Sequence, residues 1–394
     1  MTKLEKLIKE LCPNGVEYKK LGEVATISRG GSFQKKDFCE DGVPCIHYGQ
    51  IYTRYGLFAD KTLTFISEDT AKKQKYAVKN DIVMAVTSEN IDDVCKCVAW
   101  LGDDEIAVSG HTAIIHHTLN PKYLCYYFHT AMFYAQKKKL AHGTKVIEVT
   151  PDKLADITIP VPPLEVQSEI VKILDNFTEL TAELTAELTA ELTARKKQYE
   201  YYRDLLLDFG VHGGGASERE WRTINDIAIK VASGKNKEKK QEGAYPVYGS
   251  TGIIAYCDKF EYNKKQILIA RVGANAGYVH IADGEYDVSD NTLILDVKDS
   301  VIFEYIYYLL VNMNLNRFAK GGGQPLVTAG QIKEIKIPVP PIKEQERIVS
   351  ILDRFDKLCN DISVGLPAEI EARRKQYEYY RDKLLSFEVI SNGT

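Results

Sequence analysis

Residues 194–207 read ARKKQYEYYRDLLL, and residues 372–385 read ARRKQYEYYRDKLL. Twelve of these fourteen positions are identical, at an offset of 178 residues. A longer block shares the offset: ITIPVPPLEVQSEIVKILDNFTEL from Ile157 returns as IKIPVPPIKEQERIVSILDRFDKL from Ile335. Inside the first copy, Thr181 to Leu192 is TAEL three times over. Such a chain implies two similar arms joined by two equivalent helices. That layout suits reading two separated marks on one long object.

Weaker echoes extend the repeat outward. EYKKLGEVA from Glu17 resembles EWRTINDIA from Glu220, DIVMA from Asp81 resembles QILIA from Gln266, and SGHT at 109–112 resembles SDNT at 289–292. Each half is therefore a variable globular region followed by a near-invariant segment. Divergence in the globular regions beside near identity in the segments implies different ligands on a common scaffold.

At 394 residues the chain has room for two or three domains, each with its own core. Hydrophobic content of 44% and charged content of 27% are ordinary for a soluble protein. A net charge of −4 gives no global basic signature, so nucleic-acid contact would rest on local patches or on a basic partner. The charged N-terminus MTKLEKLIKELCPNG is not expected to be a signal peptide, and no apolar run is long enough to span a membrane. The eight scattered cysteines read as reduced thiols of a cytoplasmic protein; Cys95 and Cys97 form a C-x-C with no second pair at metal-ligand spacing.

The pattern predicts an N-terminal helix (1–16), a globular domain (17–160), a long helix with the TAEL repeats (161–210), a Gly-rich linker (211–219), a second globular domain (220–338), a second long helix (339–388) and a tail (389–394). Short strands are expected at Asp81–Val86, Gln266–Ala270 and Thr292–Leu295, with helical stretches at Pro121–Lys139 and Phe303–Phe318. The fold class is α+β, with mixed α/β globular regions. Each long helix follows IPVPP, whose last proline suits a first helical turn. In the first, Leu164, Ile170, Ile173, Leu174, Phe177, Leu180, Leu184, Leu188 and Leu192 fall at helical spacing and form one apolar stripe. Four residues advance about 400°, so the TAEL stripe drifts by about 40° per unit and must wind around its partner. The corresponding stretch, Cys359 to Glu371, contains Gly365 and Pro367, which should kink or interrupt the second helix. An antiparallel pair is the natural arrangement for two such helices.

On the two IPVPP-[LI]-x-x-Q-x-x-I-V-x-I-L-D-x-F blocks (159–177 and 337–355), the twin KQYEYYRD segments, the TAEL repeat and the two-region layout, the chain resembles the specificity subunits of Type I restriction-modification systems. The resemblance covers essentially the whole chain. It implies two target recognition domains, each reading half of a split DNA sequence. They would be joined by two conserved helices packed as an antiparallel coiled coil with pseudo-two-fold symmetry. It also implies docking of two modification (methyltransferase) subunits and of restriction (motor/nuclease) subunits. S-adenosylmethionine, ATP and Mg2+ would be used on those other subunits, with no catalytic residue, metal or cofactor in this chain. Two recognition domains on one face of a duplex should have centres about one helical turn apart, roughly 34–36 Å. Each TAEL unit adds about 6 Å of helix, worth one to two base pairs of spacer.

Candidate DNA contacts in the first domain are Lys35, Lys36, Tyr48, Gln50, Arg54 and Lys145. The stretch HYGQIYTRYG from His47 mixes bidentate-capable side chains with aromatics, although an ordinary polar strand-turn-strand would read the same way. Candidates in the second domain are the basic run with Lys235, Lys237, Lys239 and Lys240, the glycine-rich strand ends with Tyr248, Ser250, Arg271 and Asn275, and Gln324 in a loop aligned with 142–145. Arg271 is the best single candidate for base readout, the ordinary alternative being a buried ion pair. Thr87–Asn90 reads more simply as a turn. Tyr199, Tyr202, Arg203, Tyr377, Tyr380 and Arg381 form stripes on the conserved helices, either for helix packing or for docking partner subunits. No phosphate-binding G-x-x-x-x-G-K-[ST] occurs, and His111, His116 and His117 lack the spacing of a metal site. The alternatives are a fragment of a fused restriction-methylation enzyme, for which no N-P-P-[YF]-like motif or nuclease motif is present, and a purely structural helical adaptor.

Overall fold

The structure is a computed structural model describing residues 2–207, 219–237, 240–321, 325–360 and 365–388. The expected linker (all but residue 219), the tail from 389, Lys239 and Gln324 lie outside the described residues. The chain divides into two units, Met1–Glu187 with Ile370–Thr394, and Leu188–Glu369.

In the first unit a five-stranded sheet has the order Ala25–Arg29, Thr112–His117, Ile82–Ala85, Cys97–Trp100, Phe58–Ala59. A second sheet runs Phe38–Cys39, Thr64–Ile66, Val43–Ile46, Ile106–Val108, Lys75–Ala77. The second unit repeats this plan with one strand fewer in each sheet. Its first sheet is Ala228–Ser233, Thr292–Val297, Gln266–Ala270, Val279–Ala282, and its second is Gly252–Cys257, Tyr245–Gly249, Glu285–Val288, Tyr262–Asn263. Register corresponds as well: Ala85 lies opposite Thr112, and Ala270 opposite Thr292. One strand pair in each second sheet is parallel, Cys45–Ile46 with Ala107–Val108 and Val247–Tyr248 with Asp287–Val288. The central strands Ile82–Ala85 and Gln266–Ala270 are buried at every residue, which is why IVMA and ILIA read as unbroken apolar runs.

The invariant blocks explain themselves in contacts. Gln167 and Gln345 are each 1% exposed. Gln167 accepts from Asn120 N (2.8 Å) and donates to Pro162 O (2.7 Å). Gln345 accepts from Ile302 N and donates to Pro340 O, both at 2.8 Å. A proline-rich segment supplies carbonyls and few N–H groups, so a buried amide that satisfies one carbonyl and one foreign N–H is required there. Tyr123 and Tyr305 donate to Pro160 O and Pro338 O. The Asp of each ILD accepts a tyrosine hydroxyl, Tyr126 to Asp175 at 2.8 Å and Tyr308 to Asp353 at 2.7 Å.

Leu164–Leu207 is a single 44-residue helix. The second helical segment is two helices, Ile342–Asn360 and Leu366–Leu384, with 361–364 outside the described residues. Pro367 falls in the first turn of the latter, where its missing N–H has no intrahelical acceptor to lose. Within each unit the helices pair antiparallel. In the first unit Phe177 stacks on Tyr380 (5.9 Å) and Thr178 is hydrogen-bonded to Tyr377 (3.0 Å). In the second, Phe355 stacks on Tyr202 (5.7 Å), with Tyr199 at 6.4 Å. Each unit thus pairs the front helix of its own repeat with the KQYEYYRD segment of the other.

Several expectations require correction. Leu164 and Leu180 are 53% and 62% exposed, so the apolar stripe is narrower than its spacing implied; Leu184, Leu188 and Leu192 are half-buried. Pro121–Lys139 is two helices, Pro121–Tyr127 and Ala131–Leu140, because Thr130 caps the second. The stretch Phe303–Phe318 leaves the α-helix after Asn312, and Asn314 takes a left-handed φ of 53°. HYGQIYTRYG contains a short helix, Tyr48–Thr53, because the His47 ring nitrogen accepts from Gly49 N and caps it.

Candidate nucleic-acid interface

In the first unit the strand Ala25–Arg29 ends against the turn Ser109–Thr112. Gly30 N donates to Thr112 O (3.0 Å), and a Cβ on Gly30 would collide with Ser109 O. The chain then carries Lys35 and Lys36 into solvent. The second unit is built alike. Gly234 N donates to Thr292 O (2.9 Å), a Cβ on Gly234 would collide with Val288 O and Ser289 O, and exposed Lys235 and Lys237 follow. In both units, then, a basic loop leaves the same strand end beside the same turn.

Beside the first turn is a cleft of about 820 Å³. Arg29, Lys35, Lys73 and Lys75 line it together with Tyr48 and His111. Four cations around an aromatic floor form a local basic patch on a chain whose net charge is −4. Such a patch attracts phosphates and offers ring faces to bases. The His47 ring caps the helix beneath; burial pushes its pKa down to about 4, so it is neutral. The Tyr48 and His111 rings lie 4.9 Å apart, and His111 Nδ1 pairs with Thr87 Oγ1 (3.1 Å).

The expected contacts are placed as follows. Lys35, Lys36, Arg54 and Lys145 are exposed, and Tyr48 is half-buried in the cleft wall. Gln50 is a correction: it is 9% exposed, its oxygen accepts from His47 N, and its amide donates to Thr64, so it braces the helix from below. In the second unit Lys240 is ion-paired to Asp258 at 2.6 Å. Tyr248 is half-buried, edge-on to Tyr286 and stacked on His280; Ser250 is half-buried and Asn275 exposed. Arg271 is half-buried and donates to Ser233 Oγ (3.3 Å) and Asp290 O (3.4 Å). Those are neutral partners, unlike the ion pair considered for it. Three residues were missed. Arg29 reaches Gly110 O, and no short-range pattern could reveal a partner 81 residues away. Lys73 and Lys75 lie in KKQKY, and sequence alone does not distinguish such a run from a solvated surface.

On the conserved helices, Tyr199, Tyr202, Tyr377 and Tyr380 face their helix partners within each unit, as above. Arg203 donates to Asn312 (3.0 Å), and Arg381 to neighbouring Asp382 (3.0 Å). The most exposed tyrosines of these segments are Tyr201 (64%) and its repeat mate Tyr379 (61%). Away from these surfaces, the eight cysteines are free thiols. Cys97, Cys125 and His129 bring potential ligand atoms within 4.8 Å of one another, a grouping the C-x-C spacing did not suggest. Burial raises the Cys97 thiol pKa, which keeps it protonated. No helix among the described residues is long and apolar enough to cross a membrane.

The profile of the Type I restriction modification DNA specificity domain matches residues 13–194 and again 217–372. The chain belongs to the Type I restriction-modification specificity-subunit family. The Type I restriction enzyme EcoprrI specificity subunit of Escherichia coli is 30% identical over 378 residues, covering 92% of this chain and 93% of that one. The putative specificity subunit S.HindORF215P of Haemophilus influenzae is 33% identical, covering 98% of each chain. Among solved structures, a chain from a study of type I R-M complex assembly and conformational transition superposes with a TM-score of 0.67 at 16% identity, covering 94% of this chain and 97% of that one. The HsdS subunit from Thermoanaerobacter tengcongensis gives 0.58 at 15% identity, covering 95% and 97%. The chain is therefore a DNA sequence-recognition subunit of a Type I restriction-modification system.

Proposed function

We propose that this specificity subunit reads a bipartite DNA target, one unit per half-site. The observation that carries the reading is the recurrence, in both units, of a basic loop leaving the same strand end beside the same turn, with different residues on each. A shared frame with divergent side chains is what two readers of unlike sequences require. The chain itself supplies no catalytic group. It scaffolds two modification subunits through the repeated helical blocks, and restriction subunits join that core. S-adenosylmethionine, ATP and Mg2+ belong to those partners. The site of action is DNA in the cytoplasm.

The test is binding of a randomised DNA library by this chain in complex with its modification subunits. The expected result is enrichment of two short fixed sequences separated by an unspecified gap of constant length. Enrichment of one uninterrupted motif would refute the two-reader arrangement. Methyltransferase, nuclease or ATPase activity in the chain alone would refute the division of labour.

A further inference from the structure

The turn at 109–112 and its counterpart at 289–292 share more than position. In each, the first and last residues are buried: Ser109 and Thr112 at 1% and 0%, Ser289 and Thr292 at 5% and 0%. In each, the second is half-buried and the third, His111 or Asn291, is exposed. Each turn also holds a guanidinium against the carbonyl of its second residue. Arg29 Nε donates to Gly110 O at 3.0 Å, and Arg271 Nη1 donates to Asp290 O at 3.4 Å.

The two arginines do not occupy equivalent places. Arg29 ends the strand on one side of the turn's own strand, where the second unit has Ser233. Arg271 follows the strand on the other side, where the first unit has Val86. Arg271 reaches across to donate to that Ser233. The same cationic group thus arrives at the same carbonyl from opposite flanking strands. The sheet needs neither route, because each unit folds with a different residue where the other has its arginine. What the two routes share is the product: a guanidinium fixed beside an exposed side chain that both donates and accepts. Glu148, at 2.7 Å from Arg29, further fixes the first guanidinium and leaves part of its donor fork open.

We propose that these pairs, Arg29 with His111 and Arg271 with Asn291, are the specificity-determining residues of the two units, reading the edges of one or two adjacent base pairs in each half-site. The chemistry suits base edges. A guanidinium fork matches the O6 and N7 acceptors of guanine, and a carboxamide matches the N6 and N7 of adenine. The exposed lysines of the neighbouring loops then hold the backbone, which positions without discriminating. This assignment rests on the two-reader function proposed above.

The test maps methylated sites in a random-sequence plasmid library. It uses the full complex with modification subunits and carries wild type, Arg29→Ala, His111→Ala, Arg271→Ala or Asn291→Ala. The first two variants should relax discrimination at one or two adjacent positions of one half-site, by about 10- to 100-fold, and leave the other half-site intact. The last two should do the same to the opposite half-site only. An unchanged recognition sequence with uniformly reduced methylation would overturn the proposal and make the arginines phosphate contacts or braces. Thermal melting identifies an arginine variant that loses its fold. The exposed His111 and Asn291 then decide, and an unchanged sequence in both is the overturning result. Failure of the wild-type complex to select any bipartite sequence would instead refute the underlying function.

Discussion

At the level of single residues, the buried histidines make stability sensitive to acid. His129 has its Nδ1 2.9 Å from Cys125 O, and burial is the main reason its pKa falls to about 4. In the unfolded chain the ring titrates near the ordinary 6.5. Because the folded pKa is depressed, the unfolded state binds the extra proton between pH 6.5 and 4. Stability is therefore full above pH 6.5 and falls as pH drops, by about 2 kcal/mol at pH 5 from this ring. Denaturation midpoints followed from pH 7.5 to 4.5 should fall, and His129→Asn should flatten that fall. A parallel curve for the variant would remove His129 from the account. The buried amides make a second prediction. Gln167→Leu would leave Asn120 N and Pro162 O without partners and cost about 2–4 kcal/mol, with Gln345→Leu doing the same in the other unit. Calorimetry checks both, and wild-type melting in both would mean the amides are dispensable. These roles also mark the limit of sequence reading. The blocks around Gln167 and Gln345 were conspicuous as repeats, but their partners lie 47 and 43 residues away. For the same reason Arg29, whose partner lies 81 residues away, was passed over; Gln50 looked like a DNA contact because its burial beneath a short helix leaves no trace in the local pattern.

Among elements, the strands at 82–85 and 266–270 were legible because they are buried throughout and carry the apolar runs IVMA and ILIA. The short helix at Tyr48–Thr53 was not, because a histidine side-chain cap decides it and no periodicity announces that. The TAEL segment was legible as helix, but the burial of its leucines was not, since helical spacing cannot say how wide the covered stripe is. Leu184, Leu188 and Leu192 are half-buried at equal four-residue intervals, so removing one interval places leucine on leucine. Deleting Thr189–Leu192 should shorten the helix by about 6 Å and turn it by about 40°. The methylated target should keep both half-sequences and lose one or two base pairs between them. Methylome sequencing of cells carrying the deletion checks this. New half-sequences with an unchanged gap would refute the spacer role, and loss of all methylation would mean that the rotation breaks the helix packing.

For the whole molecule, the internal repeat should govern how many partners dock. Tyr201 and Tyr379 are outward-facing residues at matching points of the two copies, so two equivalent docking places are expected. Native mass spectrometry should find two modification subunits per chain, falling to one for Tyr201→Ala and one for Tyr379→Ala. Two copies retained in both variants would move docking elsewhere. The division of the chain has one more consequence. Unit Leu188–Glu369 is continuous, whereas the other unit needs Ile370 onward to finish its helix pair and to bring Phe387 O to the Tyr18 hydroxyl. During synthesis on the ribosome, the second-made unit can therefore complete its helix pair first. The helix pair of the first-made unit must wait, with the face around Phe177 uncovered, until residues 370–388 leave the exit tunnel. The order in which the halves are translated and the order in which their helix pairs can close run opposite ways.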